Sequence, residues 1–391
     1  MITFIFISII ILTLYTDFKA YRKIAATNLT AKAIIAVIIL LLNILPFISV
    51  AITALCSDNS HLVMSIASWI ITIYVLLTLV RIAFYIGFLT ISKQRLSVAI
   101  GTIFAVIVFT ILINGIINTR TNLNIKNIPI QHNNIPASFD NFRILFFSDL
   151  HIGSLVSPER EIAQLVDVIN SQKADMVIFG GDMVHIRYNE LSDRVIKSLS
   201  NVKAPYGVYT VLGNHDTGTY IMDSTTLSKS ENIARLNKTI RQAGWELLQD
   251  STIYAIKGAD SIAITGIDFT DALLEYKHSF STPDNFDAQS VFKDVSPSLF
   301  NIAVSHLPQL WHPISDNDFA ELTLSGHVHA TQIAVECFGK RLSPAMLMYK
   351  EWSGLYRDKS NYLYITDGIG CVGFYMRIGA RPEVTVIELK K

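Results

Sequence analysis

Before residue 120 the chain is divided into long apolar runs, and nothing limits its folding options more. Ala33–Cys56, Leu62 to about Val80, and Val98–Ile117 each hold about 20 mostly apolar residues. That is the length a helix needs to cross a hydrocarbon core about 30 Å thick. Inside hydrocarbon every backbone N–H and C=O must be satisfied within the segment, so these runs are read as membrane helices. Pro46 in the second is tolerated as a kink. Met1–Thr16 is nearly as apolar but short. A signal peptide would place its basic residues ahead of the apolar run, whereas Lys19, Arg22 and Lys23 follow it, which favours a retained first helix. The expectation is an all-α transmembrane domain over residues 1–118, with about four helices at 1–16, 33–56, 62–80 and 98–117.

Charge divides the chain in the same way. It is 51% hydrophobic with mean hydropathy +0.40, and it carries 32 Lys and Arg against 32 Asp and Glu. Up to Arg120 there are eight bases and two acids, so the remainder holds 24 bases and 30 acids, a net charge of −6. An acidic soluble part argues against a nucleic-acid surface, which needs a basic face. Lys19, Arg22, Lys23 and Lys32 lie in the first loop, none in Ser57–His61, and Lys93 and Arg95 in the third. Positive loops stay cytoplasmic. The reading is a multi-pass inner-membrane protein, with its amino terminus and everything after the fourth helix on the extracytoplasmic side. Arg81 near the inner end of the third helix is expected to snorkel to the interface. No series of acids or histidines crosses the helices, which weighs against a transporter. Three widely spaced cysteines, Cys56, Cys337 and Cys371, form neither a disulfide framework nor a zinc pattern.

Residues 119–142 read as a polar linker with Pro129 and Pro136, holding one edge strand at Leu123–Ile128. From residue 143 one pattern repeats. Arg143–Ser148 is an apolar strand followed by Asp149-Leu150-His151. Met176–Phe179 ends in Gly180-Gly181-Asp182, and Val208–Leu212 ends in Gly213-Asn214-His215-Asp216. Ile302–Val304 precedes Ser305-His306, and Leu322–Leu324 precedes Ser325-Gly326-His327-Val328-His329. Between the early strands lie helical patterns, one capped by Ser157-Pro158 with Ile162, Leu165, Val166 and Ile169 on one face. Strands alternating with helices and then following in series suggest a layered α/β domain over 143–391 with a mixed sheet.

Strand-end loops are where ligands bind in open α/β sheets. The donors gathered there are Asp149, His151, Asp182, Asn214, His215, His306, His327 and His329. All offer oxygen or imidazole nitrogen and none a thiolate, which suits divalent Mn, Fe or Zn. Carboxylates can bridge two ions, and such a pair clamps the attacking and leaving oxygens of a displacement at phosphorus. Any one of these histidines alone would more often be structural. Five separate loops supplying only this chemistry point to a metal centre.

The ordered series Asp149-x-His151, Gly181-Asp182, Gly213-Asn214-His215-Asp216, His306 and Gly326-His327-x-His329 resembles the calcineurin-like metallophosphoesterase family. Asp367-Gly368-Ile369-Gly370 and Arg381-Pro382-Glu383-Val384 resemble its membrane-associated bacterial branch. The resemblance implies a layered α/β/β/α sandwich with the motifs at one edge. Carried over residue by residue, it implies Asp149, His151 and His329 on one metal, Asn214, His306 and His327 on a second, and Asp182 bridging them. His215 would instead contact the phosphoryl group and protonate the leaving oxygen, as an imidazole can near neutral pH. Two departures stand out. His185 occupies the place where the family usually has a carboxylate that orients the catalytic histidine, leaving Asp216 as a candidate for that role. Ala330-Thr331 follows the last His pair where the branch often has two glycines.

The expected function is hydrolysis of a phosphomonoester, phosphodiester or pyrophosphate by metal-activated water, with two divalent ions as cofactors. The expected partners are a phosphorylated substrate and the lipid bilayer, and anchoring favours a lipid-linked or envelope substrate. The competing reading is a catalytically weak membrane scaffold or sensor with a structural metal site.

Overall fold

The computed structural model describes residues 2–24, 29–55, 61–91, 93–221 and 227–391. The chain forms two compact units, Met1–Asn118 with Gly373–Met376, and Thr119–Val372 with Arg377–Lys391.

The first unit is helical: α1 (Ile2–Ile24), α2 (Leu29–Leu55), α3 (His61–Thr90) and α4 (Gln94–Asn114), the last continued by a π-helical turn, Gly115–Thr119. Among the described residues three stretches are long and apolar enough to cross a membrane: Lys32–Ile52, Leu62–Thr90 and Arg95–Thr119. The first helix of the sequence reading, α1, is not among them; its carboxyl-terminal third carries Asp17, Lys19, Arg22 and Lys23. Cys56 and most of the second loop lie outside the described residues. Arg81 differs from its expected snorkelling. Its guanidinium lies 3.3 Å from the buried Asp17 carboxylate, which also accepts from Tyr85 Oη at 2.9 Å and Asn43 Nδ2 at 3.0 Å. A charge in an apolar bundle is costly, and a nearby opposite charge relieves that cost without reaching for water.

The second unit is built on strands β1 (Asn124–Gln131), β2 (Arg143–Phe147), β3 (Met176–Phe179), β4 (Val208–Thr210), β5 (Glu246–Leu247), β6 (Ser251–Lys257) and β7 (Asp260–Gly266). They are followed by β8 (Phe300–Val304), β9 (Leu322–Ser325), β10 (Val335–Cys337), β11 (Lys340–Leu342), β12 (Gly354–Asp358), β13 (Asn361–Ile365) and β14 (Glu383–Lys390). One six-stranded sheet runs β1-β14-β2-β3-β4-β5 and the other β12-β13-β9-β8-β7-β6, while β10 and β11 form a separate hairpin. Parallel pairing joins β2, β3, β4 and β5 in the first sheet, and β7, β8, β9 and β13 in the second.

Strand alternation explains the layers. In β2, Ile144 and Phe146 face a core shared with Ile302, Val304, Leu322, Leu324 and Tyr364 of the other sheet. Leu145 and Phe147, one residue out of phase, face the opposite way with Ile162, Leu165 and Val166 of helix α5 (Pro158–Ser171). The side-chain period of two leaves both faces apolar and both covered. On the second sheet the outward residues Leu363 and Ile365 of β13 pack in a cluster with Trp311 and Tyr349. The result is an α/β/β/α sandwich of two mixed sheets.

Residues 119–142 hold the expected edge strand, as β1, but pack into the sandwich and do not form a linker. β1 pairs in parallel with β14, with Ile128 opposite Ile387. Ile130, Ile135, Phe139 and Phe142 are buried in the core between the sheets. The exposed alternate positions of this edge strand, Ile125, Asn127, Pro129 and Gln131, are the ones that mimic a loop.

Candidate metal centre

Every donor singled out from the sequence lies in a loop at the carboxyl end of a parallel strand. Asp149 and His151 follow β2, Asp182 follows β3, Asn214 and His215 follow β4, His306 follows β8, and His327 and His329 follow β9. The structure brings them together. His329 Nε2 is 3.0 Å from His151 Nε2 and 3.1 Å from Asp149 Oδ1. Asp182 Oδ2 is 3.5 Å from His151 Nε2 and 3.2 Å from His306 Nε2. One ligand atom from each of Asp149, His151 and His329 falls within a 4.8 Å cluster, and likewise for Asp182, His306 and His327. All eight residues are buried, so desolvation makes each of these polar groups costly unless it is partnered.

The backbone is strained to achieve this. Asp149, His151, Asp182, His327 and His329 all have positive φ, between 40° and 72°. Non-glycine residues seldom adopt that region, and such outliers gather at functional sites. The loops also pass too close for side chains: a Cβ on Gly213 would lie 2.2 Å from Asp182 Oδ1, and one on Gly326 would lie 2.5 Å from Asp149 Oδ2. Ala330 and Thr331, at the positions where the branch often has glycine, likewise hold φ of 49° and 48°. Ser343 Oγ and Thr331 Oγ1 both donate to the Ala330 carbonyl, at 2.7 and 2.8 Å, and hold that turn.

The remaining nitrogens of the histidines fix ring orientation. His306 Nδ1 donates to the Gly180 carbonyl at 2.8 Å, and His327 Nε2 to the Lys277 carbonyl at 2.5 Å. Each leaves its other nitrogen free to ligate, as oriented metal ligands require. Asn214 Oδ1 is buried without a hydrogen-bond partner among the described residues, and His306 Nε2 faces the Asp182 carboxylate at 3.2 Å. An orphaned amide oxygen beside convergent carboxylates and imidazoles fits divalent cations of the Mn, Fe or Zn type.

Electrostatics are consistent with a cation site. Burial opposes ionisation of Asp182, yet the charges of His306 and His215 outweigh it and hold the carboxyl well below its usual range. Burial also opposes ionisation of Asp149, and His329 outweighs it in the same way. Burial would lower His306, but Asp182 raises it to about 9. Burial, His306 and His278 push His327 down to about 3, keeping it neutral and able to ligate.

The orienting partner of His215 is neither His185's side chain nor Asp216. His215 Nδ1 donates to the backbone carbonyl of His185 at 2.6 Å. Asp216 instead accepts from the amides of Asp182, Met183, Val184 and Gly213 at 2.8–3.1 Å, tying two site loops together. Glu190 does the same for the amides of Gly153, His185, Ile186 and Arg187. Arg377 went unnoticed in the sequence. It is fully buried, donates to the carbonyls of Asp367, Gly370 and Ala380, and reaches to 3.4 Å from His329 Nδ1. An isolated arginine carries no local pattern, so only its burial reveals it.

This fold and this donor set define a candidate metal centre at the edge of a two-sheet sandwich. Residues 142–331 match the calcineurin-like phosphoesterase family model. The chain is 30% identical over 263 residues to the uncharacterized metallophosphoesterase YkuE of Bacillus subtilis (strain 168), covering 67% of this chain and 83% of that protein. It is 27% identical to YkoQ of the same organism, another uncharacterized metallophosphoesterase, over 69% of this chain and 93% of that one. A Danio rerio transmembrane protein with metallophosphoesterase domain is 26% identical over 74% of this chain and 63% of its own length. The chain belongs to the calcineurin-like phosphoesterase family.

Proposed function

We propose that this chain is a membrane-anchored phosphoesterase that uses two divalent ions to hydrolyse a phosphate ester or anhydride. The observation that carries the reading is the position of Asp182, whose Oδ2 lies 3.5 Å from His151 and 3.2 Å from His306, between the two donor clusters. Asp149, His151 and His329 would hold one ion, Asn214, His306 and His327 the other, and Asp182 would bridge. When bound, such a pair neutralises phosphoryl charge and supplies hydroxide near neutral pH. His215 is the general acid. The His185 carbonyl holds its Nδ1–H, leaving Nε2 of the imidazolium to give a proton to the leaving oxygen. Burial pushes the His215 pKa down, while Asp182 and the His185 carbonyl oppose that shift.

Three apolar stretches and a transmembrane relative support anchoring. The loop charges favour a multi-pass inner-membrane protein with its catalytic unit outside the cytoplasm, and a lipid-linked or envelope substrate follows from that location. Full-length protein in detergent, assayed with chromogenic diester and monoester with and without Mn, should turn over substrate only with metal, and Asp182→Asn should abolish it. Turnover in neither substrate while metal stays bound would favour a scaffold. Protease digestion of the catalytic unit in intact spheroplasts tests the sidedness, and protection there would reverse it.

A further inference from the structure

One arm beside the centre has no part in the reading above. Lys277 follows the short 3-10 turn Asp271–Tyr276 and is half-buried. Its carbonyl is tied to the site, accepting from His327 Nε2 at 2.5 Å and from Tyr349 Oη at 2.6 Å. Its ammonium donates to Tyr220 Oη at 2.8 Å and lies 4.8 Å from the centroid of that ring. Tyr220 in turn accepts from Asn214 Nδ2 at 3.0 Å, and its ring stacks on His215 with centroids 4.3 Å apart. Among the described residues no carboxylate pairs with the Lys277 ammonium.

We propose that Lys277 and Tyr220 form a subsite for a second anionic group carried on the leaving side of the scissile phosphorus, so that the preferred substrates are diphosphate-linked. The inference rests on the phosphoesterase reading. Its geometry comes from His215: the side of the centre lined by the proton donor is the side from which the leaving group departs, and Tyr220 and Lys277 extend that wall. Bound metal ions would already meet the charge of the reacting phosphoryl group, so a further ammonium with no carboxylate partner among the described residues matches charge one group beyond. Ammonium–phosphate contacts are charge-assisted and about twice as strong as neutral hydrogen bonds. In the step, the oxygen of water forms the new P–O bond. The bond from the attacked phosphorus to the bridging oxygen breaks, the second phosphoryl group leaves with that oxygen, and the oxygen takes the His215 proton. The proton lost by water passes to solvent.

The test compares matched probes, bis(p-nitrophenyl) phosphate and P1,P2-bis(p-nitrophenyl) diphosphate, which differ by one phosphoryl group. Full-length protein with Mn is assayed as wild type, Lys277→Met, Lys277→Arg and Tyr220→Phe. The ratio of kcat/KM for diphosphate over diester should fall about tenfold or more in Lys277→Met, mainly through KM. It should recover at least partly in Lys277→Arg and fall a few-fold in Tyr220→Phe. A ratio within twofold of wild type in both Lys277→Met and Tyr220→Phe overturns the subsite; if Lys277→Met does not fold, Tyr220→Phe decides by the same ratio. Wild type that cleaves the diester but not the diphosphate overturns the subsite and leaves the phosphoesterase reading standing. Wild type that cleaves neither removes both.

Discussion

The imidazole Nδ1 of His215 donates to the carbonyl oxygen of His185 at 2.6 Å. The position that the family usually fills with a carboxylate therefore still orients the proposed general acid, through main chain instead of side chain. A backbone acceptor cannot be removed by substitution, so His185→Ala should lower kcat on a chromogenic diester by less than about tenfold. His215→Ala should lower it by roughly 10²–10⁴, the usual contribution of general acid catalysis. Equal losses in the two variants would show that the His185 ring itself is needed.

Asp216 binds the site loops together by accepting four amide hydrogens. Its carboxyl is pushed up to about 7 by burial and by the neighbouring Asp182 charge, against the pull of those amides. Asp216→Asn would turn a donor NH₂ towards amides that already donate. A buried polar group without a partner costs about 1–3 kcal/mol, so denaturant unfolding of the full-length protein should show a loss of about 2–3 kcal/mol. A loss below about 0.5 kcal/mol would mean that the loops are held by other contacts.

Metal uptake should depend on pH through His306. Its pKa is raised to about 9 because Asp182 outweighs burial, so in metal-free protein it carries a proton at neutral pH. A cation must displace that proton. Apparent affinity should therefore rise as pH increases from about 7 to about 9 and level off above that. Calorimetric Mn titrations in buffers of different ionisation enthalpy should detect proton release at pH 7.5. No release there would place the proton elsewhere.

Thr331 holds φ of 48°, a region in which a β-branched residue is strained. Glycine relieves that strain, worth about 1–2 kcal/mol, but loses more entropy on folding, about 0.5–1 kcal/mol. Thr331→Gly should therefore be neutral to stabilising, raising stability by up to about 1 kcal/mol in thermal or denaturant unfolding. A loss of 1 kcal/mol would show that the Thr331 hydroxyl contacts with Ala330 and Ser343 outweigh the strain.

Much of this protein is legible along the chain because its signals are local. Apolar runs such as Lys32–Ile52 declare helices long and apolar enough to cross a membrane, and strands β2, β3 and β8 declare themselves by short apolar stretches that end in Asp149, Asp182 and His306. The eight donors could be named because each sits directly after such a strand, and parallel strands deliver their carboxyl ends to one edge. In residues 119–142 the edge strand is legible, but the core positions Ile130, Ile135, Phe139 and Phe142 are not, because they sit among polar neighbours that look like a loop.

The amino-acid sequence by itself determined the two-part plan, the alternation that layers the second unit, and the donor chemistry of its candidate metal centre. Those follow from hydropathy, periodicity and side-chain type, which act over a few residues. Only the tertiary structure decided that the His185 carbonyl orients His215, that Asp216 and Glu190 brace loops, that Arg377 lies buried behind His329, and that Lys277 reaches Tyr220 across 57 positions. Each of these depends on where distant loops meet and on which backbone groups lose water there, and no local pattern records that.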